Sequence, residues 1–246
     1  MKSTVFVIAR KELSAGLRGA SFWLSLAVSA ALAAALGALF VRLRPAPADE
    51  RAARLVEILL LSTPPLAAAV SSGPFARERA SGALETLLAA PVSDAAAVLG
   101  KFLAAAALCL GGTLVLALVA AASAGPLGLP RPDGGEIRLA AIGLAAASAA
   151  QLSWCACGLF FSLVSRREGG GAAATLVAAA ASAVVAAGEL PFAAPDGFAA
   201  HLDLVQFALG IADTRPLFAF LSAAAFFLFA AVRMLESRFW LLRRNP

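Results

Sequence analysis

Charged side chains are scarce in this chain. Asp, Glu, Lys and Arg make up 14% of its 246 residues, whereas a soluble domain carries about a quarter. Hydrophobic residues make up 61%, and the mean hydropathy is +0.86. This balance excludes an ordinary soluble enzyme and predicts an all-α integral membrane protein. We expect one transmembrane domain, residues 1–246, with no sizeable soluble domain attached.

The residues that most enzymes use for catalysis are also few. His201 is the only histidine, and the three cysteines, Cys109, Cys155 and Cys157, all lie in apolar segments. A Cys-x-Cys pair on a helix directs its two sulfurs to different faces, which is poor geometry for a metal. The glycine-rich residues 166–171 lack the order of a phosphate-binding loop. We therefore expect no catalytic site, no bound metal and no directly bound cofactor.

Ionisable residues are nearly missing from the apolar runs, and Glu57 lies near the outer end of the second. The span interiors offer little beyond Ser, Thr and Gln151, which argues against a proton- or sodium-driven transporter or an intramembrane enzyme. The net charge is +5 and the pI near 9.9, but no basic run carries interleaved aromatic residues. We expect no nucleic acid partner, because a membrane protein collects Lys and Arg on its cytoplasmic side.

What the chain does contain is a series of apolar runs. About 20 apolar residues cross a bilayer, and the runs predict six transmembrane helices. The predicted spans are residues 20–41, 55–75, 102–124, 139–164, 172–188 and 217–232. The sequence Ser-Thr-Pro-Pro at 62–65 predicts a kink in the second span, because proline removes a backbone donor. Ser93 and Asp94 are predicted to cap the helix of the third span.

The N-terminal residues 1–19 predict an amphipathic interface helix. Phe6, Ala9, Leu13 and Leu17 form one apolar stripe, and basic residues lie opposite. Such a helix lies at the membrane surface with its basic face toward anionic lipid headgroups.

Residues 189–215, between the fifth and sixth spans, are too polar to span and too apolar for a solvated loop. Proline and glycine interrupt their first half, and a short apolar helix follows. Backbone at membrane depth must be buried in protein or line a cavity. We therefore predict extracytoplasmic re-entrant helices here, with Thr214 capping the last span and Pro216 in its first turn. The candidate residues of an extracytoplasmic gate are His201, Phe207, Asp213 and Arg215.

The densest run of charge lies between the second and third spans. Its charged residues, Arg77, Glu78, Arg79 and Glu85, must lie in water or at the membrane surface. Leu84, Leu87 and Leu88 share one helical face, Ser81 is a predicted N-cap, and Pro91 ends the helix. The physics leaves two interpretations open: a helix that transmits force from a cytoplasmic partner, or an ordinary loop helix on the headgroups.

A family resemblance bears on this choice. It rests on Glu78-Arg79-x-x-Gly82-x-Leu84-Glu85-x-Leu87-Leu88-x-x-Pro91-Val92-Ser93. The pattern resembles the permeases of ATP-binding cassette exporters of the second type, above all the gliding-motility and nitrous-oxide-reductase-maturation branch. Ala83 stands where that family often has Thr. Residues 10–13, 210–215 and 235–240 also resemble the family, so the likeness covers nearly the whole chain.

The resemblance implies a cytoplasmic coupling helix at residues 76–91 that contacts an ATPase subunit. Its implied contact residues are Arg77, Glu78, Arg79, Gly82, Leu84, Glu85, Leu87, Leu88 and Pro91. It also implies that ATP and Mg bind to that separate subunit, and that the permease pairs with a second copy or a related permease. Gliding-type relatives often act with an auxiliary membrane protein that has a large extracytoplasmic domain. The implied function is export or mechanical work across the membrane.

The charge distribution predicts the orientation independently of this resemblance. Six spans place both termini on one side, together with 13 of the 20 Lys and Arg residues. The positive-inside rule makes that side cytoplasmic, in the inner membrane of a bacterium. The alternative function is a non-transporting membrane scaffold that anchors partner proteins, and the dependence of ATPase turnover on this chain would separate the two.

Overall fold

The structure is a computed structural model that describes residues 2–43, 50–84, 86, 92–123, 133–165, 168–186 and 204–237. Most of these residues are helical, and no strand occurs among them. The helices are α1 (Lys2–Arg18), α2 (Ala20–Leu43), α3 (Arg51–Ser62), α4 (Pro64–Ser71), α5 (Pro74–Ala80), α6 (Asp94–Ser123), α7 (Gly134–Val164), α8 (Glu168–Ala186), a 3₁₀ helix (Leu204–Leu209) and α9 (Arg215–Glu236).

Five segments among the described residues are long and apolar enough to cross a membrane. They are Ala20–Leu39, Arg51–Ala80, Asp94–Ala120, Gly134–Val164 and Arg215–Glu236. The chain is therefore a multi-pass membrane protein. The fifth predicted span coincides with α8, whose 19 residues rise about 28 Å, close to the thickness of a bilayer core. Within α8 the apolar described part is the shorter Gly169–Ala180, so the sixth span stays a prediction.

The predicted kink in the second span is confirmed as a break in the helix. Helix α3 ends at Ser62 and α4 begins at Pro64. The hydroxyls of Ser62 and Thr63 donate to the carbonyls of Leu59 (3.2 Å) and Leu60 (3.5 Å). They bind carbonyls near the point where proline interrupts the helical hydrogen bonds. The segment also continues beyond the predicted end at residue 75, because Pro74 begins the further helix α5.

Helix ends are set by polar side chains. The Ser93 hydroxyl accepts from the Ala96 N–H at 3.3 Å, which confirms the predicted cap of α6. Helix α7 begins at Gly134, earlier than its apolar run predicts, because Asp133 and Glu136 form a reciprocal capping box. Thr214 occupies the N-cap position of α9 but makes no side-chain cap. The predicted cap was therefore wrong in its residue: Asp213 Oδ1 accepts the Arg215 N–H at 3.0 Å.

Two apolar clusters hold the helices together. The larger one joins α2, α4, α6 and α7 and contains the fully buried Leu66, Val98 and Leu159. The smaller one joins α3, α7 and the 3₁₀ helix through Val56 and Leu204. The last part of the predicted re-entrant segment therefore packs into the bundle, while residues 189–203 lie outside the described residues.

Helix α1 covers the residues for which an amphipathic interface helix is predicted, and its position at the membrane surface stays a prediction. Ile8 lies against Gly100 of α6, and Leu13 packs on the larger cluster. Phe6 and Leu17, at the two ends of the predicted stripe, are left exposed by the rest of the protein. The face of α1 that carries Glu12 is turned toward α6, where the carboxylate pairs with Lys101.

Candidate functional site

The charged segment after the second span begins as helix α5. Gly73 precedes it and Pro74 lies in its first turn. Ser81 is its C-cap, and its hydroxyl donates back to the Glu78 carbonyl at 3.2 Å. The predicted N-cap role of Ser81 was therefore wrong. Gly82 follows with φ +74°, a left-handed conformation that glycine adopts without steric cost and that ends helices.

The first turn of α5 is fastened to the end of α7. The Ser162 hydroxyl accepts hydrogen bonds from the N–H groups of Phe75 and Ala76, both at 3.1 Å. The first N–H groups of a helix have no partner within it, so a side chain of another helix satisfies two of them. The Phe75 ring is fully buried beneath this contact.

Arg79 makes a second connection between the same two helices. Its Nη1 and Nη2 donate to the carbonyls of Ser165 (3.0 Å) and Leu163 (2.6 Å). These carbonyls lie at the C-terminus of α7, where the last C=O groups lack helical partners and carry partial negative charge. The guanidinium therefore acts as a C-terminal cap of a span helix.

Glu78 faces the opposite direction, toward α6. Its Oε1 lies 2.7 Å from Lys101 Nζ, and Glu12 Oε1 of α1 lies 2.7 Å from the same nitrogen. Lys101 is 1% exposed, and its ammonium lies 5.1 Å from the centre of the Phe75 ring. We name Glu12, Lys101 and Glu78 the buried ion triad. It joins α1, α5 and α6 at one point.

Arg77 differs from its two charged neighbours because it is exposed. Its Nε donates only a local hydrogen bond, to the Gly73 carbonyl at 3.3 Å. The side chain borders a cavity of about 250 Å³ that the three residues of the ion triad also line. Arg77 is therefore the charged group of α5 that a partner can reach without breaking an ion pair.

The rest of the predicted coupling residues divide between described and undescribed positions. Leu84 is 1% exposed and belongs to the larger cluster, which fits a leucine face held against the bundle. Glu85, Leu87, Leu88 and Pro91 lie outside the described residues.

Of the predicted gate residues, His201 lies outside the described residues. Phe207 packs, partly buried, against the smaller cluster. Asp213 is half-buried and caps α9 at Arg215. The described gate residues thus take part in packing and capping, and their role in gating stays a prediction.

Two residues of the ion triad, Glu12 and Lys101, were missing from the predicted site. A signal for Lys101 exists in the sequence, because it is the only charged residue between positions 95 and 123. A lone charge in an apolar helix requires a partner. Its partners are distant along the chain, so local sequence patterns do not identify them.

The described residues contain no group of three or more His, Cys, Asp and Glu side chains that could hold a metal ion. The arrangement of these residues connects helices mechanically. A charged surface segment is attached by hydrogen bonds and ion pairs to the ends of two span helices and to the N-terminal helix.

Residues 6–235 match the protein family described as ABC-2 family transporter protein. No curated protein matches the sequence.

Proposed function

Because the chain belongs to the ABC-2 family of transporter proteins, it is a membrane permease component of an ABC transporter, and we propose that it transmits the work of a separate ATPase subunit across the membrane. Permeases of this family generally work with an ATPase subunit and have no ATPase site of their own. In this proposal ATP and Mg bind to that subunit, and its turnover drives export or a mechanical change on the far side.

The contacts of α5 support a coupling role for residues 76–91. Ser162 and Arg79 fasten α5 to the end of α7, and Glu78 fastens it to α6 and α1. A displacement of this segment therefore acts on the ends of two spans through hydrogen bonds and ion pairs. A loop helix that only rests on headgroups has no need of these contacts. This attachment is the observation that carries the proposal.

We propose six spans with both termini in the cytoplasm of a bacterium. The length of α8 supports the sixth span, and the excess of Lys and Arg on the side of α1 and α5 supports the orientation. The resemblance to gliding-type permeases supports pairing with a second copy or a related permease, and an auxiliary membrane protein with an extracytoplasmic domain. Membrane lipid surrounds the assembly.

Glu85→Lys tests the contact with the ATPase. In the proposal this carboxylate meets basic groups of the partner, and its reversal places like charges together at a mostly desolvated contact, at a cost of several kcal/mol. We expect a normally inserted permease that no longer retains, or no longer stimulates, its cognate ATPase. The measurement is co-purification from detergent together with ATP turnover of the complex in lipid.

Glu50→Lys is the matched control, because it makes the same charge change at an exposed residue next to α3. It should leave retention and turnover unchanged. Normal retention and turnover in Glu85→Lys would contradict a contact through this carboxylate. An ATPase whose turnover never depends on the permease would instead identify a scaffold.

A further inference from the structure

The ion triad places a fully buried lysine between two elements that lie on the proposed path of force. Lys101 projects from α6, while its partners Glu12 and Glu78 come from α1 and α5. We propose that Lys101 is the positioning residue that makes the N-terminal helix α1 follow α5 when the ATPase displaces the coupling segment. This inference rests on the proposed function and adds α1 as a moving element.

The electrostatics of the triad make the three helices interdependent. A buried ammonium is unfavourable unless it is paired and hydrogen-bonded, and Lys101 has both carboxylates at 2.7 Å. Two carboxylates at that distance from one nitrogen lie within twice that distance of each other, so they repel if the lysine is lost. Neither glutamate can leave without weakening the solvation that the protein gives to the other two groups.

The surroundings of the triad restrict how it can respond to a push on α5. The Phe75 ring lies against the ammonium from the side of α5, and Ile8 of α1 contacts Gly100, the neighbour of Lys101. A shift of Glu78 therefore either separates a buried pair or carries α6 and α1 with it. Because Lys101 is 1% exposed, the separated state takes one of two carboxylates away from a buried ammonium, and the joint movement is favoured.

The neighbouring cavity gives α1 room to move. About 250 Å³ of space lies between α1, α2, α4, α5 and α6, and all three triad residues border it. Its other walls include Ala15 and Gly16 of α1 and Phe22 of α2. Gly16 packs closely on Leu108 of α6, so a movement into this space carries α1 and α6 together.

Distance measurements between spin labels test whether α1 follows α5. The labels are placed at Ser14 on α1, Ser81 after α5 and Ile211 before α9, all three exposed, after replacement of the three native cysteines. The complex with its cognate ATPase is measured in lipid, nucleotide-free and with a trapped nucleotide. Nucleotide should shift the Ser14–Ile211 and Ser81–Ile211 distances together and leave the Ser14–Ser81 distance unchanged.

The variant that removes the ion triad as a unit is the triple change Glu12→Gln, Lys101→Met and Glu78→Gln. It removes all three charges at nearly constant volume, so folding does not suffer from an unpaired buried charge. We expect the Ser81–Ile211 shift to persist, the Ser14–Ile211 shift to disappear, and ATP turnover of the complex to fall at least fivefold at unchanged retention. Lys11→Met, an exposed lysine beside Glu12, is the control and should behave as wild type.

The outcomes separate the two proposals. A Ser14–Ile211 shift that survives in the triple variant would overturn the role of Lys101, because α1 would then follow α5 by packing alone. Movement of Ser81 without Ser14 in the wild-type complex would also overturn it. Absence of any nucleotide-dependent shift at Ser81 would overturn the proposed coupling function, and the role of Lys101 with it.

Discussion

At the scale of single residues, α5 uses its three consecutive charges in three different ways. Glu78 neutralises a buried lysine, Arg79 caps a span helix, and Arg77 is left exposed. A charged run at a membrane surface is usually a solvated face, but here two of three charges are internal connections. Their loss should therefore affect the attachment of α5 to the bundle more than its solubility.

Gly82 provides a residue-scale prediction with a control of opposite sign. Its φ of +74° disfavours any side chain, and a Cβ added there meets no atom within 4 Å. Gly82→Ala should lower stability by about 1 kcal/mol through the backbone alone. A Cβ added at Gly111 also meets no atom within 4 Å, but Gly111 lies inside helix α6. Gly111→Ala should therefore raise stability by up to about 1 kcal/mol.

The measurement for both glycine variants is thermal unfolding of the purified permease in detergent. Opposite shifts of the midpoint confirm that backbone conformation, and not space, decides the effect at residue 82. If Gly82→Ala shifts the midpoint upward like Gly111→Ala, the left-handed turn after α5 is absent from the folded protein.

At the scale of elements, the sequence predicts what depends on local composition. The spans follow from hydropathy, and the break at residues 62–65 follows from Pro64 and Pro65. The rotation of α1 and the attachment of α5 were not predictable in this way. They depend on Glu12 meeting Lys101 and on Ser162 meeting Phe75, pairs almost 90 residues apart, which no periodicity within one helix encodes.

In the candidate site too, some features were predictable from the sequence and others were not. The charged run and its position between two spans were evident from the sequence, and Leu84 was assigned to an apolar face that is buried. The predicted N-cap role of Ser81 was wrong. A Ser-Gly pair is compatible both with the end of one helix and with the start of the next, so the sequence does not decide between them. Only the observed φ at Gly82 distinguishes these cases.

The 3₁₀ helix provides a prediction at the scale of elements. Leu204 is 0% exposed against α3 and α7, whereas Leu209 is 43% exposed. Leu204→Ala should destabilise the protein by about 2–5 kcal/mol through a cavity, and Leu209→Ala by less than about 1 kcal/mol. Thermal unfolding of the two variants in one detergent checks the difference. Equal midpoints would show that this helix does not pack into the bundle in solution.

At the scale of the whole molecule, the two ends of the bundle differ in how they use charge. The end with α1 and α5 buries an ion triad within the protein. The other end carries separate ion pairs of partly exposed side chains, Arg51 with Glu136 at 3.6 Å and Arg54 with Glu57 at 2.7 Å. A buried lysine that joins three helices at one end, and separate pairs at the other, fit a protein that receives force on the side of α5.

The proposed orientation is tested by labelling single cysteines in intact cells, in a background without the three native cysteines. Ser81 and Ser237 are exposed and are proposed to face the cytoplasm, while Ile211 is 55% exposed before α9 on the opposite side. Ser81→Cys and Ser237→Cys should react with a membrane-impermeant thiol reagent only after permeabilisation, because the positive-inside rule retains their end in the cytoplasm. Ile211→Cys should react in intact cells. Reaction of Ser81→Cys from outside would reverse the orientation and remove α5 from the reach of any cytoplasmic ATPase, whereas reaction of Ser237→Cys alone would mean an odd number of spans between them.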